Sequence, residues 1–172
     1  MFGVVLCLYT GLRIGELLAL MWKDIDFGKG LLFVSKTCYD VSDGQNHTRI
    51  IDSPKTVHSR RVIPLPKQIL PLFKSLKKQS NCDYIIADRD KPVFVRSYQR
   101  TFELLLKKLG IAHKGFHSLR HTFATRALEC GMDVKTLSEL LGHKNATVTL
   151  NRYAHSLLEH KTDMMNRLGK LL

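Results

Sequence analysis

Phe116-His117-Ser118-Leu119-Arg120-His121-Thr122-Phe123-Ala124-Thr125 is the stretch on which the reading of this chain turns. Phe116, Leu119, Phe123 and Ala124 recur at helical spacing and give the segment one apolar face, which predicts a helix over 117–129. Gly110 breaks the chain before it and Gly131 stops it. His117 and Arg120 stand three residues apart, so imidazole and guanidinium project to the same side. The planar fork of an arginine grips two oxygens of one anion, which makes this pair suited to a phosphate. Taken alone, the same pair reads more readily as a helix-capping histidine and a solvated arginine.

Working outward toward the N-terminus, residues 1–9 and 14–22 read as two helices separated by Thr10-Gly11, with Leu17, Leu18 and Met21 at helical spacing in the second. Arg13 then stands at a helix start, beside glycines that permit close approach, and Glu16 three residues on is placed to orient it. A surface arginine at an interhelix turn is the other reading. Residues 24–66 switch to strand character, with strands expected over 31–36, 49–52 and 60–65. The turn over 53–59 carries Lys55, whose amine could protonate a leaving alkoxide or be an ordinary turn lysine. His58, Arg60 and Arg61 flank it and are expected to meet phosphates and position a duplex. The expected fold class is α+β, mainly helical, with a small three-stranded antiparallel sheet. Further helices are expected over 67–79, 97–109, 133–141 and 147–155, with a short buried segment at 84–87.

The formal charge of +12 and pI near 9.7 are spread along the 172 residues, not gathered in a tail. Such a surface favours a phosphate backbone as partner, although composition does not separate DNA from RNA or an anionic membrane. Cys7, Cys38, Cys82 and Cys130 form no CxxC pair, so neither a zinc knuckle nor a disulfide framework is expected and a reducing cytosol is the simpler setting. There is no HExxH motif, and a metal-dependent nuclease is not supported; no metal site and no cofactor are expected. The longest apolar runs are too short to span a bilayer. Phe2 to Tyr9 is already core-like, as in a domain cut from something longer.

Working outward in the other direction, Leu141-Gly142-His143 is followed ten residues later by Tyr153. Cleaving a phosphodiester without a metal needs an in-line nucleophile, donors that neutralise two non-bridging oxygens, and a proton for the leaving 5′ oxygen. A phenol with an ordinary pKa of about 10 attacks only with cationic help, and Arg152 and His155 flank Tyr153. By itself Tyr153 reads more readily as a half-buried helix aromatic, and 133–153 also fits a helix-turn-helix.

Together, these stretches resemble the catalytic domain of the tyrosine recombinase and phage-type integrase family. Thr10 to Asp26, Ser53 to Pro66, Phe116 to Thr125 and Leu141 to His155 carry the resemblance, over nearly the whole chain. It implies Tyr153 as the nucleophile that forms a 3′-phosphotyrosyl link. It implies Arg13 and Arg120 as holders of the scissile phosphate, Lys55 as the proton donor to the leaving oxygen, His117 as an aid to proton transfer or positioning, and His143 as a hydrogen-bond donor to a non-bridging oxygen. Arg152, like His58, Arg60 and Arg61, would contact DNA, and no ATP or metal would be needed.

The implied activity is site-specific DNA recombination, the integration and excision of a mobile element. A non-catalytic DNA-binding module and a type IB topoisomerase-like relaxing enzyme are the alternatives. Residues 1–156 would be the catalytic domain, without the core-binding and arm-binding domains that integrases place before it, and 157–172 a helical tail suited to exchange between protomers. Double-stranded DNA, assembly into dimers or tetramers on it, and accessory DNA-bending proteins are the expected partners, with no membrane, in the bacterial cytosol at the nucleoid.

Overall fold

The computed structural model describes residues 2–44, 46–53, 60–143, 145, 147, 162, 164–166 and 168–170. Helix α1 (Phe2–Thr10) buries Leu6 and Cys7 completely. The Thr10 hydroxyl donates back to the Leu6 carbonyl at 2.5 Å, and the Gly11 N–H reaches the Cys7 carbonyl at 2.8 Å. Gly11 then takes φ +64°, a left-handed exit that turns the chain sharply into α2 (Ile14–Leu18).

That second helix is shorter than the 14–22 expected from periodicity. Beyond it the backbone pairs with a passing segment: Trp22 N–H donates to Asp83 O at 2.9 Å, Ile85 N–H to Leu20 O at 3.0 Å, and Met21 bridges Tyr84. Leu17, Leu18, Ala19, Leu20 and Trp22 are all buried, so the apolar run is covered on every side and its spacing alone does not separate helix from extended chain.

A three-stranded antiparallel sheet follows, with β1 (Ile25–Asp26), β2 (Leu31–Val34) and, later in the chain, β5 (Arg61–Pro64) in the order β1-β2-β5. Leu32 pairs with Ile63 and Val34 with Arg61. Between them, β3 (Thr37–Ser42) and β4 (His47–Asp52) form a separate hairpin. The mixed, mainly helical fold with a three-stranded antiparallel sheet is therefore as expected, but its membership differs. Residues 49–52 pair with Thr37–Asp40, not with 31–36, and β1 takes the third place. The hairpin was illegible as such because only Cys38 of its residues is buried, so no inward and outward alternation marks it. It is fastened to the body through Asp40, whose carboxylate accepts the Val95 and Arg96 N–H groups at 3.2 Å, and through Arg49, stacked 4.2 Å from the Phe94 ring centroid.

After α3 (Leu70–Gln79) and the short hairpin of β6 (Ala87–Asp88) and β7 (Lys91–Pro92), the chain forms α4 (Val95–Lys108), α5 (Ser118–Glu129) and α6 (Val134–Leu141). Phe116 packs edge-on to Phe102 and Tyr98, with centroids 5.1 and 5.7 Å apart, which seats the start of α5 on α4. Ala124, Ala127, Leu128, Leu137 and Leu141 form a small second core between α5 and α6, while α1 packs along α5. The result brings the α1–α2 turn, the first turn of α5 and the end of α6 to one place. No helix among the described residues is long and apolar enough to cross a membrane. The helix expected over 147–155 and the 157–172 tail lie largely outside the described residues.

Candidate active site

Arg120 lies on the first turn of α5 and is only 3% exposed. Its Nη1 donates to the Gly11 carbonyl at 2.8 Å and its Nη2 to the Leu141 carbonyl at 2.7 Å. A buried guanidinium needs such acceptors, and here they come from two chain reversals 109 residues before it and 21 after it. Arg13, the residue before α2, reaches the next carbonyl of the same C-terminal turn, Gly142 O, through Nη2 at 3.3 Å. Gly142 caps α6 in the left-handed region at φ +65°, and the following His143 N–H donates to Ser138 O at 3.0 Å. Arg13, Arg120 and the backbone at His143 thus meet around one turn.

Beneath them lies Glu16, 3% exposed. Its Oε1 accepts from Arg13 Nη1 at 2.8 Å and Arg61 Nη1 at 2.9 Å. Its Oε2 accepts from the Arg13 backbone N–H at 2.9 Å and Arg61 Nη2 at 2.8 Å. Burial by itself would push this carboxyl upward, but the hydrogen bonds and charge of Arg61, then of Arg13, outweigh it and hold Glu16 below the usual glutamate range. Glu16 thus holds Arg13 by both its backbone N–H and its guanidinium.

Arg61 stands differently from the phosphate-contacting residue that the sequence suggested. Its side chain is 5% exposed, engaged with both oxygens of Glu16, and its Nε donates to Leu140 O at 2.6 Å. The available signal was phase: Arg61 shares the inward phase of β5 with Ile63, while Val62 between them is exposed. The carbonyls of Leu140, Leu141 and Gly142, each taken by a different arginine, carry no side-chain signature and were not foreseen.

His117 precedes α5, is exposed, and holds its ring edge-on to His121 with centroids 4.7 Å apart. Arg60 is exposed immediately before β5. Lys55, His58, Arg152 and Tyr153 lie outside the described residues. Among the described residues, no group of three or more His, Cys, Asp or Glu side chains is placed to hold a metal ion.

The model of the Phage integrase family matches residues 2–160. The chain belongs to this family. Among curated relatives, a tyrosine recombinase XerC-like protein of Caldanaerobacter subterraneus subsp. tengcongensis is 33% identical over 94% of this chain and 47% of its own length. The transposase from transposon Tn916 of Enterococcus faecalis is 31% identical over 97% of this chain and 45% of its own length. The chain spans about half the length of the curated relatives it matches. Among solved structures, the Tn1549 transposon integrase in complex with transposon right end DNA superimposes with a TM-score of 0.79 at 32% identity, covering 96% of this chain and 57% of that one. The XerA recombinase crystal structure gives a TM-score of 0.72 at 27% identity, covering 95% of this chain and 57% of that one.

Proposed function

We propose that this chain is the catalytic domain of a site-specific DNA recombinase of the integrase kind, cleaving and rejoining duplex DNA to integrate and excise a mobile element. The observation that carries this reading is the convergence of Arg13 and Arg120 on the carbonyls of Gly142 and Leu141, immediately before His143. Guanidinium groups anchored to backbone on one side are preorganised to receive a phosphodiester on the other, where charge grows as the phosphorus becomes pentacoordinate. The +12 charge supplies the attraction for DNA. The relatives named as integrase, recombinase and transposase, one of them solved on transposon DNA, support the same reading.

In this mechanism the Tyr153 phenol gives its proton to His117 or to solvent as its oxygen attacks the scissile phosphorus. The bond to the 5′ oxygen breaks and that oxygen leaves with a proton from Lys55, and the 3′ phosphate remains on the tyrosine. Arg13, Arg120 and His143 hold the non-bridging oxygens, while His117 positions the phosphate or assists proton transfer. The phosphotyrosine conserves the energy of the broken bond, so a 5′ hydroxyl from another duplex reverses the attack without ATP. His58, Arg60 and Arg152 contact flanking phosphates. Residues 1–156 form the catalytic unit and 157–172 a segment that docks on a neighbouring protomer in a dimer or tetramer on DNA, aided by DNA-bending accessory proteins, in the bacterial cytosol at the nucleoid.

A nicked suicide duplex tests this. A covalent protein–DNA adduct that forms with the full-length protein on its own site and is lost in Tyr153→Phe is expected. Absence of the adduct would leave a non-catalytic DNA-binding module, whereas an adduct with relaxation but no joining of strands from different duplexes would indicate a topoisomerase.

A further inference from the structure

Arg61 is buried where a DNA contact was expected, and among the described residues it makes three hydrogen bonds of 2.9 Å or less to groups on two separate elements. Two go to Glu16 on α2, which itself holds both the backbone and the side chain of Arg13. The third goes to Leu140 O at the end of α6, next to the Leu141 and Gly142 carbonyls that anchor Arg120 and Arg13. One rigid fork thus ties the carboxylate that orients one arginine to the backbone turn that anchors both.

We infer that Arg61 is a positioning residue for strand cleavage: it locks Glu16 and the end of α6 in register, so that Arg13 and Arg120 face the phosphate together, and it does not itself touch DNA. The inference rests on the recombinase reading above. A lysine would carry the charge but not the geometry, because a single ammonium cannot span both Glu16 oxygens and Leu140 O. The groups facing Glu16 are Arg13 before its own helix and Arg61 from β5, with the buried Cys7 of α1 close enough to feel its charge. Arg61 therefore supplies the only cation that reaches Glu16 from the sheet among the contacts described.

The experiment separates binding from chemistry in the full-length protein on its own suicide site. Dissociation constants and their salt dependence are measured alongside single-turnover adduct formation for wild type, Arg61→Gln, Arg61→Lys, Glu16→Gln and the Glu16→Gln/Arg61→Gln double variant. A positioning role predicts adduct formation slowed about 10- to 100-fold, the scale of a small misplacement of catalytic groups, with DNA affinity and its salt slope as in wild type. Because Arg61 acts through Glu16, the double variant should be no slower than the slower single variant. It also removes the buried charge pair as a unit, so it preserves the fold if leaving Glu16 unpaired does not.

A direct DNA contact would instead lower affinity and reduce the salt slope by about one, which overturns the inference. Wild-type rates in the Arg61 variants, or fully multiplicative losses in the double variant, overturn it equally. No adduct with wild type overturns the recombinase reading and this inference with it, and that result is distinct from an active wild type with unaffected variants.

Discussion

Arg120 closes a hydrogen bond of 2.8 Å onto the carbonyl oxygen of Gly11, across 109 residues of sequence. The bond joins the first turn of α5 to the reversal that delivers Arg13, so the two arginines share one rigid support. Arg120→Lys keeps the charge but cannot reach both Gly11 O and Leu141 O. We expect a stability loss of about 1–3 kcal/mol, the cost of leaving a buried acceptor unsatisfied, read as a lower urea midpoint at unchanged slope. A wild-type midpoint would mean that the two carbonyls do not depend on this guanidinium.

Gly11 has a second reason to be glycine. A Cβ there would stand 2.5 Å from Phe123 Cδ1 and 2.8 Å from Leu141 Cδ2, at a backbone φ of +64° that side chains disfavour. Gly11→Ala must therefore shift the α1–α2 turn away from α5 and α6, and should cost about 1–3 kcal/mol while slowing adduct formation. Equal stability and equal cleavage rate in the alanine variant would refute this account of the turn.

These relationships mark what the sequence could and could not disclose. Periodicity placed Arg13 and Glu16 at a helix start and Arg120 on a helix with one apolar face, but left their roles open; those roles, and that of His143, came from the resemblance to the integrase family. The body of the fold was legible from the same periodicity. The supports were not: the Gly11, Leu140, Leu141 and Gly142 carbonyls are backbone groups whose partners are set by tertiary packing. The burial of Arg61 was not expected, because strand phase, not charge, decides which way it points. The β3–β4 hairpin escaped because its faces are mostly exposed, and α2 was overextended because an all-apolar run fits helix and buried extended chain alike.

Thiol chemistry offers a probe of the support beneath the site. Cys7 lies on α1, fully buried, and burial, reinforced by the charge of Glu16, pushes its thiol far upward despite the opposing charge of Arg120. Cys130 is exposed just beyond α5. Under native conditions a disulfide-exchange reagent should modify Cys130 first, and Cys7 and Cys38 only on unfolding. Mass mapping that found Cys7 labelled as fast as Cys130 in folded protein would show that α1 opens readily.

The end of α6 depends on its beginning. Asp133 caps the helix, accepting the Thr136 N–H at 2.9 Å, and its carboxyl is held below the usual aspartate range first by hydrogen bonding to the Thr136 side chain and then by that N–H. Asp133→Ala should lower the thermal midpoint at neutral pH, whereas Asp133→Asn, an equally good cap, should retain most of it. Equal loss in both variants would assign the effect to charge and not to the cap.

Acid should loosen the site through Glu16. Its folded pKa is held below the unfolded value of about 4.3, so folding binds fewer protons than unfolding in the acid range. The stabilisation is fully present above that unfolded value and is lost as pH falls from it through the lower folded value. Asp133 acts with the same sign. Stability measured by urea unfolding should therefore decline below about pH 4.3, and more shallowly in Glu16→Gln, which has no proton to bind. Arg61→Gln should weaken the downward pull on Glu16 and flatten the same limb, since Arg61 supplies the largest part of that pull. An acid limb equally steep in wild type, Glu16→Gln and Arg61→Gln would mean that Glu16 is not the group whose protonation releases the arginines.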